Sequence, residues 1–310
     1  MKADRGPAPS PAGRVAIWAR ERGRGGLEPR EDRVAVEEPL EIRIAAGGER
    51  RTLAVTMRTP GQDEELAAGF LFAEGLVRDR ALLAGLRAWT EEDPGSGGRR
   101  DVVEVELAAR RLPDLRALER HFFTGSACGV CGRAALDELL TAGAEPAAPG
   151  PVVPAGTIAA LPAALAAAQE GFAATGGLHA AGLFDAAGRL LAAREDVGRH
   201  NALDKLFGRA LLDGALGWEG PEGGARRLSS RAVLVSGRAS FELVQKCVAA
   251  GVPLLCAVSA PTSLAVEMAV RFRLTLVGFL RDGRFNVYSH PERIVEPAQE
   301  TECGGGDQGR

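Results

Sequence analysis

Hydrophobic and polar residues alternate in short runs through the first half of the chain, which predicts β-strands. The runs lie at residues 33–36, 40–44, 53–57 and 102–107. Gly47 and Gly48 separate two of these runs, a pattern typical of a hairpin. Acidic residues at 63–65 follow a Pro-Gly break and favour the first turn of a helix. The first half is therefore predicted to be rich in β-structure.

The second half has a different pattern, in which continuous apolar runs alternate with amphipathic segments. Strands are predicted at 178–184, 189–193, 232–235, 253–258 and 274–279, and helices at 158–172, 199–212, 241–250 and 262–271. Continuous apolar strands joined through helices indicate a partly parallel sheet that is covered on both faces. The predicted fold class is therefore α/β (α+β) with a mixed sheet.

Composition divides the chain into four predicted parts. Residues 1–30 are rich in Gly, Pro and Arg and are expected to be disordered or loosely attached. Residues 31–145 form a smaller, mainly β subdomain, and four prolines at 143–154 mark its boundary. Residues 155–292 form the α/β domain, and 293–310 a flexible tail.

Overall composition is that of a globular protein, with 45% hydrophobic residues, 25% charged residues and a net charge of -3. No basic face with interleaved aromatic residues is present, which argues against a nucleic-acid partner. No run approaches the roughly 18 apolar residues of a membrane-spanning helix. The start of the chain has no secretory signal pattern, so we expect a cytoplasmic protein without a membrane partner.

Two of the five cysteines lie close together in the segment TGSACGVCGR, at Cys128 and Cys131. A C-x-x-C pair has three interpretations: half of a zinc site, a redox-active dithiol, or a carrier of persulfide sulfur. No second C-x-x-C supplies further zinc ligands, and the interleaved glycines favour a mobile loop that carries sulfur. The pattern by itself leaves all three open. Cys247 and Cys256 lie in apolar surroundings typical of a core.

Three strand-to-helix turns carry polar residues suited to binding an anion. Each turn has an ordinary alternative as a capped surface helix, but three at the carboxyl edge of one open sheet favour a nucleotide site. His179 adds an imidazole nearby, and the segment 279–284 adds two arginines, with a charged hairpin turn as its alternative. The candidate residues of the three turns are Gly198, Arg199 and His200; Ser236, Gly237 and Arg238; and Ser259, Thr262 and Ser263.

Long segments of this chain resemble those of the FdhD family of formate dehydrogenase accessory sulfurtransferases. They are TGSACGVCGR, TGGLHAAGLFDAAG, EDVGRHNALDK, SGRASFELVQK, SAPTSLAVEMA and LVGFLRDGRFNVYS, in order between about residues 33 and 292. The resemblance implies a sulfur carrier that takes persulfide sulfur from a cysteine desulfurase. A carrier of this kind would pass the sulfur to a molybdenum (or tungsten) bis-molybdopterin guanine dinucleotide, before that cofactor enters the formate dehydrogenase apoenzyme. The resemblance also implies a cytidine deaminase-like three-layer core and a homodimer.

The resemblance assigns the persulfide to Cys128, with Cys131 assisting, and requires no dedicated metal ion. It places cofactor binding on Phe279, Leu280, Arg281, Asp282, Gly283 and Arg284, with guanine nucleotide pockets at the three turns. Deaminase chemistry is not expected. The H-x-E pattern of deaminases is absent at His179, which is followed by two alanines, and Ala127 stands where P-C-x-x-C has its proline. The alternative function is a non-catalytic delivery chaperone for the cofactor, with structural or zinc-bound cysteines.

Overall fold

The computed structural model describes residues 11–20, 27–92, 97–115, 146–147, 149–216 and 228–296. Within these ranges, short 3-10 turns form at Arg80–Leu82 and Pro291–Arg293. The helices are α1 (Asp63–Ala73), α2 (Ala155–Ala166), α3 (Glu170–Thr175), α4 (Arg199–Leu212), α5 (Phe241–Ala249) and α6 (Ser263–Arg271). The strands are β1 (Ala12–Ala19), β2 (Glu28–Ala35), β3 (Glu38–Ala46), β4 (Glu49–Arg58), β5 (Leu83–Glu92), β6 (Arg99–Leu107), β7 (Val153–Pro154), β8 (His179–Phe184), β9 (Leu190–Asp196), β10 (Ala232–Val235), β11 (Leu254–Ala257), β12 (Thr275–Arg281), β13 (Arg284–Ser289) and β14 (Ile294–Val295).

A four-stranded mixed sheet, in the order β4-β3-β6-β5, lies in the N-terminal part of the chain. Strands β3 and β4 form the hairpin predicted around Gly47 and Gly48, where both glycines have positive φ angles. Strand β3 pairs in parallel with β6, which places two strands far apart in sequence at the centre of the sheet. The alternating apolar residues face the core, because Leu40, Ile42 and Ile44 are at most 1% exposed.

A second sheet has six strands, in the order β13-β12-β11-β10-β8-β9. Strands β10, β11 and β12 are parallel, whereas β8, β9 and β13 are added antiparallel to their neighbours. One face of this sheet packs on a cluster that includes residues of α4, α5 and α6, and the other packs on residues of α2. The predicted α/β class, with a partly parallel sheet covered on both faces, is confirmed. The cytidine deaminase-like detail stays a prediction.

Helices α1 and α4 connect the two sheets through a close crossing. A Cβ atom on Gly69 would lie 1.8 Å from the carbonyl oxygen of Asp204, and one on Gly208 would lie 1.7 Å from that of Glu65. Only glycine allows the two backbones to approach so closely. Residues of both sheets and of α1 and α4 therefore share one buried cluster.

The described part of residues 1–30 differs from the loose segment that its composition predicts. Strand β1 pairs with β2 over its whole length, from Ala12 opposite Ala35 to Ala19 opposite Glu28. Strand β2 also lies against α3. Pairing and packing supply the order that the Gly- and Pro-rich composition does not indicate. As a result, residues 33–35 of the predicted run 33–36 belong to this first hairpin.

The helix predicted at 158–172 is divided into α2 and α3. The backbone leaves the helical region at Gln169, and the carboxylate of Glu195 accepts hydrogen bonds at 2.8 Å from the N–H groups of Gly171 and Phe172. This distant carboxylate satisfies the first N–H groups of α3, which explains why a new helix begins there. The sequence pattern does not predict strands β5 and β13, since both lack a continuous or clearly alternating apolar pattern.

None of the helices in the described ranges is long and apolar enough to cross a membrane.

Candidate functional site

The carboxyl ends of β10 and β11 lead into two loops that are hydrogen-bonded to each other. The N–H of Ser259 donates to the carbonyl of Gly237 at 3.3 Å, and the N–H of Ala239 donates to that of Ala260 at 3.2 Å. The N–H of Thr262 then donates to the carbonyl of Ala239 at 3.0 Å. The turns 236–238 and 259–263, predicted separately, therefore form one continuous edge.

The third predicted turn, at residues 198–200, lies at the same edge. Strand β8 is antiparallel to both β9 and β10, so the start of β8 lies next to the ends of those two strands. His179 at the start of β8 pairs with Asp196 at the end of β9, and the N–H of Ala180 donates to Oγ of Ser236 at 2.9 Å. Helix α4 begins directly after this point, with Gly198 as its N-cap. The structure thus brings together all three turns that the sequence predicts as a nucleotide site.

Gly237 is buried beside two nitrogen-bearing side chains. A Cβ atom at this position would lie 3.4 Å from Nδ1 of His179 and 3.8 Å from Cδ of Arg199. Nε of Arg199 is buried, and in the described part of the chain it has no hydrogen-bond partner. A buried, unsatisfied guanidinium nitrogen is costly unless something else binds it. This feature favours an anionic ligand at the edge.

Most other charged residues of the motif 195–205 are used inside the protein. Nζ of Lys205 lies 2.7 Å from Oδ2 of Asp196, and both side chains are 0% exposed. The same carboxylate accepts from the N–H groups of Thr59 at 3.1 Å and Gly198 at 2.9 Å, and from Nδ2 of Asn201 at 3.1 Å. These contacts hold the turn in place and tie it to the N-terminal part of the chain.

The predicted site residue His200 has partners that sequence reasoning did not identify. Its Nε2 lies 2.9 Å from Oε2 of Glu242 and 3.2 Å from Oγ of Ser240, both at the start of α5. The hydrogen bond from His200 lowers the pKa of Glu242. The position of Glu242 in the first turn of a helix at the same sheet edge was the signal that could have pointed to it.

A second buried pair joins α4 to α5. Nζ of Lys246 donates to Oδ1 and Oδ2 of Asp204, at 2.6 and 2.8 Å. Burial raises the pKa of Asp204 in spite of the neighbouring Lys246 ammonium. Asp204 and Lys246 therefore position the two helices and are not free to bind a ligand.

The segment 279–284 forms the end of the β12–β13 hairpin, which agrees with the charged hairpin turn considered as its alternative. The N–H of Phe279 donates to the carbonyl of Ser259 at 3.1 Å, which attaches the hairpin to the loop edge. Phe279 has a φ angle of 54° and its side chain is 37% exposed. Leu280 is fully buried, Arg281 and Arg284 pair across the hairpin, and Asp282 and Gly283 form the turn.

An exposed phenylalanine in the left-handed region is an unusual backbone feature. Such a conformation costs free energy, and strained residues of this kind cluster at functional sites. The conformation and exposure of Phe279 therefore favour a functional role at this edge, whereas burial explains Leu280 and the turn explains Gly283.

The hydroxyl groups of the three turns are partly committed to structure. Oγ1 of Thr262 accepts from the N–H of Ala265 at 3.3 Å and caps α6, and Oγ of Ser236 accepts from Ala180. Ser263 is the first residue of α6, Ser259 precedes its N-cap, and Arg238 is exposed. The capped-helix alternative is therefore correct for Thr262.

The predicted persulfide site lies outside the described residues, because Cys128 and Cys131 fall within 116–145. Cys247 and Cys256 are described and fully buried, as their apolar surroundings predict. Burial raises the pKa of both thiols, so neither is a reactive thiolate.

A family model described as the FdhD/NarQ family matches residues 35–295. The chain belongs to the FdhD/NarQ family.

Members of this family include several close relatives named sulfur carrier protein FdhD. One from Streptomyces coelicolor is 47% identical over 274 residues, 87% of this chain and 92% of the relative. One from Nocardia farcinica is 49% identical over 266 residues, 86% and 89% of the two chains. One from Anaeromyxobacter dehalogenans is 46% identical over 290 residues, 93% and 96% of the two chains.

The fold is also similar to a crystal structure of a formate dehydrogenase accessory protein from Desulfotalea psychrophila. The TM-score is 0.65 at 25% sequence identity, and the match covers 92% of this chain and 100% of the other. The family resemblance inferred from the sequence motifs is confirmed.

Proposed function

We propose that this protein is a sulfur carrier that serves formate dehydrogenase. Its relatives named sulfur carrier protein FdhD, and the similar accessory protein of known structure, support this role. The sulfur is carried as a persulfide on Cys128, and the donor is a cysteine desulfurase. The protein acts in the cytoplasm as a homodimer.

The transfer onto the carrier is a thiol exchange that needs no metal ion. The Cys128 thiolate attacks the outer sulfur of the donor's cysteine persulfide, forming a new S–S bond while the old S–S bond breaks. The electron pair of the broken bond leaves on the donor's cysteine, which becomes a thiolate. The sulfane sulfur is thereby moved without any external oxidant or reductant.

The sulfur acceptor in this proposal is a molybdenum bis-molybdopterin guanine dinucleotide cofactor, bound as a substrate at the loop edge. The observation that carries this part is Arg199, whose buried Nε has no hydrogen-bond partner among the described residues and whose side chain lies beside Gly237 together with His179. A phosphate group is the kind of anion that such nitrogen atoms and the neighbouring helix N-termini bind. The chain's residues thus fit the diphosphates of that cofactor.

The β12–β13 hairpin supplies the other half of the proposed binding surface. The exposed ring of Phe279 offers an aromatic face for stacking a purine or pterin ring. Arg281 and Arg284 lie just beyond it, are exposed, and add positive charge for the phosphates. These side chains orient the cofactor while the segment bearing Cys128 delivers sulfur.

The first test is the intact mass of the protein after incubation with a cysteine desulfurase and L-cysteine. We expect a gain of about one sulfur that reductant removes and that C128A abolishes. The matched control is C303A, which keeps Cys128 and the three remaining cysteines and should show the same gain as the unaltered protein. No gain in the unaltered protein, together with stoichiometric bound zinc, would contradict sulfur carriage and support the delivery chaperone.

A further inference from the structure

His179 is a half-buried imidazole that has no hydrogen bond or ion pair within the described ranges. It lies beside Gly237 together with Arg199, as the contacts of a Cβ atom at Gly237 show. His200, by contrast, is already engaged by Ser240 and Glu242. Of the two histidines at the edge, His179 is therefore the one available to a ligand.

The charged groups that face His179 favour its neutral form in the absence of a ligand. Burial lowers the pKa of His179, and the neighbouring Arg199 guanidinium and His200 imidazole lower it further. Asp196 acts in the opposite direction, but its carboxylate is paired with Lys205. Glu242 is paired with His200. The ring therefore lies beside the positive charge of Arg199, and among the described residues the carboxylates of Asp196 and Glu242 are already paired.

An anion bound at Gly237 would reverse this balance. A negative charge within a few ångströms of an imidazole favours its protonated form and raises its pKa. The same anion would offset the positive charge of Arg199, which otherwise lowers that pKa. Binding and protonation are then linked, because each makes the other more favourable.

We propose that His179 binds the diphosphate group of a guanine nucleotide and takes up a proton from the solvent when that group binds. This inference rests on the proposed function for the identity of the ligand, and it adds both a binding residue and a pH dependence to the site. The proton comes from the buffer, which becomes deprotonated by the same amount.

The sign of the pH dependence follows from the two states of His179. Its pKa is low in the free protein and higher in the complex, so proton uptake occurs in the interval between those two values. The contribution of His179 to the affinity for the diphosphate therefore increases as the pH falls through this interval, and is constant above and below it. Each unit of pKa difference gives about a tenfold change in affinity.

The test is calorimetric binding of GDP at about pH 7, in two buffers with different ionisation enthalpies. The difference in heat between the buffers measures the protons taken up. We expect net uptake by the unaltered protein and much less by H179Q. The terminal phosphate of GDP also titrates, but it contributes equally to both proteins. H179N repeats the measurement with a shorter amide in case H179Q does not fold.

The matched control is H290Q, because the ring of His290 lies against Glu292 and the carbonyl of Val270, away from the loop edge. It should keep the proton uptake of the unaltered protein. Inorganic pyrophosphate is the second probe, and a similar difference in proton uptake between the unaltered protein and H179Q would assign the effect to the diphosphate.

Three results would overturn the inference: uptake that H179Q leaves unchanged, uptake with GDP but none with pyrophosphate, or no binding of either probe. None of these results contradicts the proposed sulfur carriage, because the persulfide mass measurement on Cys128 tests it separately. A protein that gains sulfur but binds no nucleotide would keep its carrier role and lose this site.

Discussion

Single residues in the motif 195–205 have roles that their chemistry alone does not distinguish. Asp196 and Lys205 look like exposed charges near an anion site, yet they form a fully buried ion pair. Lys205 also donates to the carbonyl of Thr59 at 2.8 Å. The sequence does not distinguish Arg199 from its neighbours, yet its Nε has no hydrogen-bond partner in the part of the chain that the structure describes.

The buried pair leads to the first prediction at this scale. K205M leaves the Asp196 carboxylate buried without its cation, so we expect it to lower the free energy of unfolding by about 3–5 kcal/mol. Urea denaturation followed by circular dichroism measures the change. The control R14M removes an ion pair whose partners are 77% and 64% exposed, and it should cost less than about 1 kcal/mol. Equal losses in both variants would contradict the structural role of Lys205.

Among the secondary-structure elements, the crossing of α1 and α4 is the contact that brings the two sheets together. The glycines at the crossing reduce intrinsic helix stability, since Gly costs up to about 1 kcal/mol relative to Ala. Close backbone packing at Gly69 and Gly208 explains their presence. In the sequence, such glycines indicate only a locally less stable helix and do not reveal the close contact between helices.

Replacing one of these glycines gives a prediction for the element. G208A places a methyl group 1.7 Å from the carbonyl oxygen of Glu65, so the helices must move apart. We expect a loss of about 1–3 kcal/mol or more in the free energy of unfolding. The matched control is G156A in α2, where a Cβ atom meets nothing within 4 Å. This variant should be unchanged or up to about 1 kcal/mol more stable. Denaturation of both variants in urea is the measurement, and a stabilised G208A would rule out the close crossing.

The whole molecule is held by a buried cluster that includes residues from both large sheets. Arg58 at the end of β4 is fully buried and paired with Asp63 and Asp101, and Thr59 next to it is hydrogen-bonded to Asp196. The N-terminal sheet is thus attached to the turn that begins α4. The division into domains near residue 150 stays a prediction.

This shared cluster predicts that the two sheets unfold together. Trp89 lies in β5 of the first sheet, whereas five of the six described helices lie beyond residue 150. In W18F/W218F, Trp89 is the remaining tryptophan of the three in the chain. Its fluorescence and the far-ultraviolet circular dichroism should give one coincident urea transition. An earlier fluorescence transition would mean that the first sheet unfolds independently.

Local patterns were sufficient for most elements of the second half. The predicted helix at 199–212 and strand at 232–235 agree with α4 and β10 residue for residue. Apolar periodicity succeeded there because burial on one or both faces dictates each position. It failed for β1, β5 and β13, whose order depends on pairing with a partner strand.

The sequence by itself determined the family, the α/β class and the set of loops that form the candidate edge. These depend on motifs and periodicities that are complete within short stretches of chain. Only the tertiary structure decided which residues of that edge are free. The partner of Asp196 at Thr59 is 137 residues away, and the partner of Asp204 at Lys246 is 42 residues away. A charge is available to a ligand only when no folded neighbour has already neutralised it, and those neighbours are set by packing.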